Sequence, residues 1–182
     1  GGGGGGRGAP PPPPTRRRYP RRMDPYLNEL LARLGDADPI AVLHATPAHL
    51  ADLAERLAPD DWAVPLSAGG WCAAEVVAHL ADVELAMGFR LRQAVAGRTA
   101  VQPFDQDAWA RRYPRLDVAL ALETLRALRA WNLALFATFD LDDWLTEVDH
   151  PERGRQSVDV VVRTLAGHDL RHLDRLARLL AT

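Results

Sequence analysis

The chain has 182 residues, 22 basic and 24 acidic side chains and a formal net charge of −2, and 47% of it is hydrophobic. Six of the basic residues and no acid precede Met23, which leaves sixteen against 24 in the remainder, a net of about −8 that argues against a basic nucleic-acid surface. No uninterrupted apolar run reaches the roughly 18 residues a membrane helix needs, and the single cysteine, Cys72, excludes an intrachain disulfide.

Residues 1–22 comprise six leading glycines, five consecutive prolines and the cluster Arg16, Arg17, Arg18, Arg21 and Arg22 around Tyr19. With almost nothing apolar to pack, this segment is expected to be disordered. As a functional element it would be a basic arm for an anionic partner; the bland reading, which we prefer, is that translation starts at Met23 and the arm is a start-site artefact. No apolar stretch follows the charges, so the secretory and twin-arginine readings fail. The expected location is the cytoplasm. Every basic residue is arginine, which fits G- and C-rich coding and says nothing of function.

Residues 23–182 have the length of one domain. A first helix is predicted over 24–34, ended by Gly35, and a second over 39–57, with Thr46 and Pro47 as N-cap and N1 of its main portion. Residues 60–70 read as a loop. The next helix, over 71–96, stops at Gly97 and is long enough to cross the domain. Residues 98–114 form a long connection with a short helix near 105–112, followed by a long helix over 116–139. The stretch 140–156 reads as a loop, and the last helix runs from Ser157 onward. No segment alternates convincingly, so the expected fold is all-α, a four-helix bundle with short accessory helices.

Three histidines stand out. His79 lies in the 71–96 helix; His168 and His172 lie four apart in the last helix, on one face and one turn apart. They share a stripe with Val158, Val161, Leu165 and Leu176, so they face inward. Two helices can therefore present three imidazoles to one cation, which leaves a fourth position open as catalytic zinc sites do. The bland alternative is three separate buried histidines, each bonded to a neighbour. Histidine ligation suits zinc, nickel or iron equally well.

Asn132 interrupts the stripe Leu125, Leu128, Leu135 and Phe139, and reads either as a neighbour of the metal and substrate or as an interhelical hydrogen bond. Arg90, nearly in phase with His79, could meet an anionic substrate group or flank the helix in a salt bridge. Asp105, Asp82 or Glu84 could move a proton; a solvated face accounts equally for Asp82 and Glu84, and an N-cap role for Asp105. Cys72 at a helix start could have a lowered pKa, although a small buried substitute is the simpler reading.

Residues 70–84 (GWCAAEVVAHLADVE), 104–109 (FDQDAW), 150–154 (HPERG) and 166–173 (AGHDLRHL) together resemble the DinB-like, or YfiT-like, superfamily, also called the "putative metal-dependent hydrolase" group. The similarity runs from about Asp38 to the C-terminus. The family usually has serine or threonine where Cys72 stands, a better cap. The resemblance implies an up-down-down-up four-helix bundle, a divalent metal on His79, His168 and His172, and frequent homodimers. Relatives include thiol S-transferases using bacillithiol or mycothiol and a mycothiol-dependent maleylpyruvate isomerase. The expected activity is a metal-dependent hydrolase or thiol S-transferase in which the metal acidifies water or a low-molecular-weight thiol for attack on a small-molecule electrophile, with Asp105 as candidate proton shuttle. A non-catalytic metal or small-molecule binding protein of the stress response is the alternative.

Overall fold

In the computed structural model residues 24–181 are described; the arm expected to be disordered, 1–22, lies outside the described residues. Seven α-helices, Pro25–Leu34 (α1), Pro39–Arg56 (α2), Ala73–Val95 (α3), Gln106–Ala110 (α4), Val118–Phe136 (α5), Leu141–Leu145 (α6) and Val158–Ala177 (α7), are joined by short 3-10 turns and one hairpin. Their starts follow from local chemistry. Asp24, Asp38, Asp105, Asp117 and Asp140 each accept a backbone N–H of the following turn, and Ser157 does so for α7. A cap of this kind contributes about 1 kcal/mol.

The bundle is formed by α2, α3, α5 and α7, in the up-down-down-up order, with α3 packed on α5 and α2 on α7. Residues 96–117 provide the long crossing that such an order requires. Helix α1 lies along α7, and the approach is close at Gly167, where a Cβ would stand 2.1 Å from the Leu30 carbonyl oxygen.

The core falls into two apolar clusters. One gathers Leu50, Leu53, Val76, Leu80, Leu125 and Leu176; the other gathers Leu43, Val83, Leu91, Phe136, Val162 and Leu165. Between them along each helix lies a polar layer. Arg129, 1% exposed, is the largest fully buried side chain. Its Nη2 lies 2.8 Å from Glu84 Oε2 and its Nη1 2.8 Å from Asp169 Oδ2. Nη1 also donates to the Leu43 carbonyl at 2.7 Å. That carbonyl is available because Pro47, four residues on, has no N–H to offer it. Burial opposes the charge on Arg129, but Asp169 and Glu84 outweigh it and hold the guanidinium above its usual range. Burial raises the Asp169 carboxyl.

Several expectations change. Thr46 and Pro47 do not start a helix: α2 begins at Asp38 and Pro39 and runs through Pro47, while Thr46 is buried and its hydroxyl donates to the Val42 carbonyl. The α5 stripe is Ala121, Leu125, Arg129, Asn132 and Phe136, so Arg129, rather than Leu128, turns inward. Glu84 is fully buried against Arg129, and neither a solvated face nor a proton shuttle describes it. The stretch expected as loop at 140–156 contains α6 and an antiparallel hairpin, Glu147–His150 (β1) and Gly154–Ser157 (β2), closed by Gly154 at φ 75°. The segment after α3 anchors this hairpin, with Val101 donating to the Asp149 carbonyl at 3.0 Å and Asp149 to that of Thr99 at 2.8 Å. No described helix is long and apolar enough to cross a membrane.

Candidate metal centre

Helix α3 points His79, and α7 points His168 and His172, at one spot in the bundle. His168 Nε2 lies 3.0 Å from His79 Nε2 and 3.2 Å from His172 Nε2. All three rings are buried. Burial lowers His79 to about 4; burial and then His79 lower His172 to about 3; and burial, with both neighbouring rings, takes His168 well below its ordinary value. At neutral pH three uncharged imidazoles therefore meet through the same ring nitrogen.

Hydrogen bonding cannot satisfy that arrangement. One proton on His168 Nε2 can be directed to one neighbour at a time, and the third ring still aims a lone pair at the cluster. A cation accepts all three lone pairs at once, which is the donor set that zinc, nickel and iron take. Among the described residues no fourth histidine, cysteine or carboxylate joins the group. The Nδ1 atoms are buried with no hydrogen-bond partner among those residues, so ring packing sets the orientations. The Trp71 ring lies 4.9 Å from that of His79 and meets Tyr113 edge-on at 5.8 Å.

The α3 start that places Trp71 and His79 is a reciprocal cap. The Cys72 N–H donates to Glu75 Oε2 at 2.9 Å. The Cys72 thiol is pushed up by burial, so the reactive-cysteine reading does not hold. Asp82 is half-buried and raised by burial, close to Tyr113, whose hydroxyl is raised by burial and by Asp82.

A cavity of about 610 Å³ opens beside His168, lined by residues from α1, α3, the α4 segment, the hairpin and α7. Asp105 and Arg90 line it. Asp105 is exposed and its Oδ1 accepts from the Ala108 N–H at 2.9 Å, the capping role. Arg90 makes no ion pair of the helix-flanking kind among the described residues. Asn132 lies elsewhere, in the polar layer: Nδ2 donates to Glu84 Oε1 at 2.8 Å and to the Glu84 carbonyl at 3.1 Å, and Oδ1 accepts from Arg92 Nη1 at 2.6 Å. Its role is the interhelical bond, made possible by Gly88, where a Cβ would meet the Asn132 amide at 2.5 Å.

The sequence pattern did not single out Tyr26, His150, Arg153 or Gln156 as cavity residues. The HPERG stretch supplied a signal for two of them, but their position depends on a hairpin that was read as loop.

A family model described as the DinB superfamily matches residues 42–175. A protein from Oceanobacillus iheyensis named "Putative metal-dependent hydrolase" is 29% identical over 113 residues, 61% of this chain and 66% of that relative. One of the same name from Bacillus cereus is 26% identical over 117 residues, 63% of this chain and 68% of the relative. Among solved structures, YfiT from Bacillus subtilis, whose four-helix topology is described as unusual, superposes with a TM-score of 0.73 at 24% identity, covering 78% of this chain and 83% of YfiT.

Proposed function

Because this chain belongs to the DinB superfamily and brings three neutral imidazoles to one point, we propose that it is a metal-dependent hydrolase holding a divalent ion on His79, His168 and His172. The observation that carries this is the convergence of the three Nε2 atoms at 3.0 and 3.2 Å without a hydrogen-bonding scheme that satisfies them. The relatives' names support the same reading. A divalent ion held there supplies Lewis acidity, which lowers the pKa of water or of a thiol and polarises the electrophile.

The protein's own contribution is the dry setting and the access. Burial keeps the rings unprotonated, and the tilted contact with the Trp71 ring restrains the His79 plane. The cavity has His168 in its wall, and an approach of a small molecule from that side supports a catalytic site over a closed structural one. Asp105 at the rim is the proposed proton carrier through its second carboxylate oxygen. A low-molecular-weight thiol in place of water would make the same centre a thiol S-transferase. The cavity volume lies in the range of small-molecule sites, about 300–1,000 Å³.

The test is elemental analysis of the purified chain beside His79→Ala and His172→Ala. About one zinc, nickel or iron per wild-type chain, lost in both variants with helical circular dichroism preserved, is expected; metal retained in both refutes the assignment. Turnover of ester or amide panels in water, with and without added thiol, separates hydrolysis from thiol transfer. No turnover with metal bound would favour the non-catalytic binding reading.

We also propose a cytoplasmic homodimer. The exposed Phe89, Trp131 and Leu85 on α3 and α5, 60%, 67% and 51% accessible, support an apolar contact. A monomeric sedimentation profile at micromolar concentration would refute it.

A further inference from the structure

The cavity beside His168 has a second set of polar groups that the histidine cluster does not account for. Arg90 on α3 and Arg153 in the turn between β1 and β2 both line it. Neither guanidinium has a carboxylate within ion-pair distance among the described residues. Arg90 Nη1 meets the Met87 sulfur at 3.5 Å, and the Arg153 guanidinium lies over the Tyr26 ring, 5.3 Å from its centre. Burial and then the charge of Arg153 lower Arg90 to about 10. Two cations that disfavour each other across a pocket leave it short of negative charge.

The groups beside them are donors too. His150 is buried and lines the same cavity. Its Nδ1 accepts the backbone N–H groups of Glu152 and Arg153 at 3.2 and 3.3 Å. A ring nitrogen that accepts carries no proton, so the neutral ring is the Nε2–H tautomer. Burial, then Arg90 and Arg153, lower His150 to about 4, which keeps it neutral in ordinary buffers. Gln156 Nε2 is buried with no acceptor among the described residues. The carboxylates that also line the cavity, Asp105, Asp107 and Glu152, belong to exposed residues, and Asp105 is engaged as a cap. Met87, Val83 and Leu165 supply an apolar wall.

We propose that this part of the cavity binds the carboxylate of an organic-acid substrate, held by Arg90 and Arg153 and by the Nε2–H of His150 and the side-chain amide of Gln156. The apolar body of the acid lies along Met87 and Leu165, and its reactive group is presented toward His168. The choice of the reactive end rests on the metal-hydrolase reading; the carboxylate site does not. An aligned carboxylate–guanidinium pair is one of the strong charge-assisted contacts, whereas a neutral amide of the same shape forgoes the charge.

The experiment compares 4-phenylbutyrate with 4-phenylbutyramide by isothermal titration into the full chain, zinc-loaded and chelator-treated, for wild type, Arg90→Gln and Arg153→Gln. The acid is expected to bind wild type about tenfold more tightly than the amide in both metal states, and each substitution is expected to erase most of that preference while leaving metal content unchanged. Equal binding of acid and amide by wild type overturns the proposal. So does a preference that survives both substitutions; where it also vanishes on metal removal, the acid is a metal ligand. The wild-type comparison in chelator-treated protein decides the matter even where a variant misfolds. A wild-type chain that takes up no zinc but keeps the acid preference would sink the metal-hydrolase reading and leave the carboxylate site standing.

Discussion

Replacing Arg129 by methionine tests the polar layer most directly. The substitution keeps an apolar stem of similar length, but it removes the partner of two buried carboxylates, Glu84 and Asp169, and the donor to the Leu43 carbonyl. Breaking a buried pair from one side costs about 3–5 kcal/mol, because the remaining charge is uncompensated. Set against a typical stability of about 5–15 kcal/mol, that is a large share. In urea at pH 7, with a slope of about 2 kcal/mol/M, the midpoint is expected to fall by roughly 1.5–2.5 M at unchanged slope. Adding Glu84→Gln and Asp169→Asn to Arg129→Met is expected to recover part of the loss. The deficit of the single variant should also shrink on acidification: burial raises the Asp169 carboxyl and Arg129 opposes that rise, so without Arg129 this carboxyl protonates more readily in the folded chain and loses its uncompensated charge. A loss below about 1 kcal/mol, or a triple variant no better than the single, would refute the reasoning.

The close approach at Gly167 and the burial of His79 have consequences of their own. Gly167→Ala places a Cβ against the Leu30 carbonyl; the expected loss is about 1–3 kcal/mol or more by overpacking, with weaker metal retention because His168 adjoins the strained position, and wild-type thermal stability would refute it. For pH, His79 is held near 4 when folded against 6.5 when unfolded, so the unfolded chain binds more protons between those values. In metal-free protein, stability should be full above about pH 6.5 and decline toward pH 4, by up to ~1.4 kcal/mol per pH unit for this ring. A flat urea midpoint between pH 7 and pH 5 would contradict a buried neutral His79.

The histidine triad was legible because the spacing of His168 and His172 and the apolar stripe around them report one helix face, and His79 lies in an equally plain helical run. Their convergence on Nε2 follows from the bundle, which the spacing alone does not specify. Pro47 was misread for a physical reason: Thr-Pro carries the same start signal as Asp38-Pro39, and the helix tolerates an internal proline here because Arg129 occupies the freed carbonyl. Arg129 itself was invisible to a pattern that assigns charges to the surface, and the same rule offered Glu84 only a solvated face or a proton-carrying role, not the buried ion pair it makes. The hairpin was missed because strands of four residues, EVDH and GRQS, show no usable alternation. With it went the position of His150 and Arg153, and so the donor-rich part of the cavity.

Helix α1 contributes Tyr26, Leu27 and Leu30 to the cavity wall, and it precedes residues 42–175, which the DinB superfamily model matches. This wall and the three histidines thus come from different helices, α1 on one side and α3 and α7 on the other. A substitution at Tyr26 therefore changes the shape a small molecule meets in the cavity without replacing any of the three histidines.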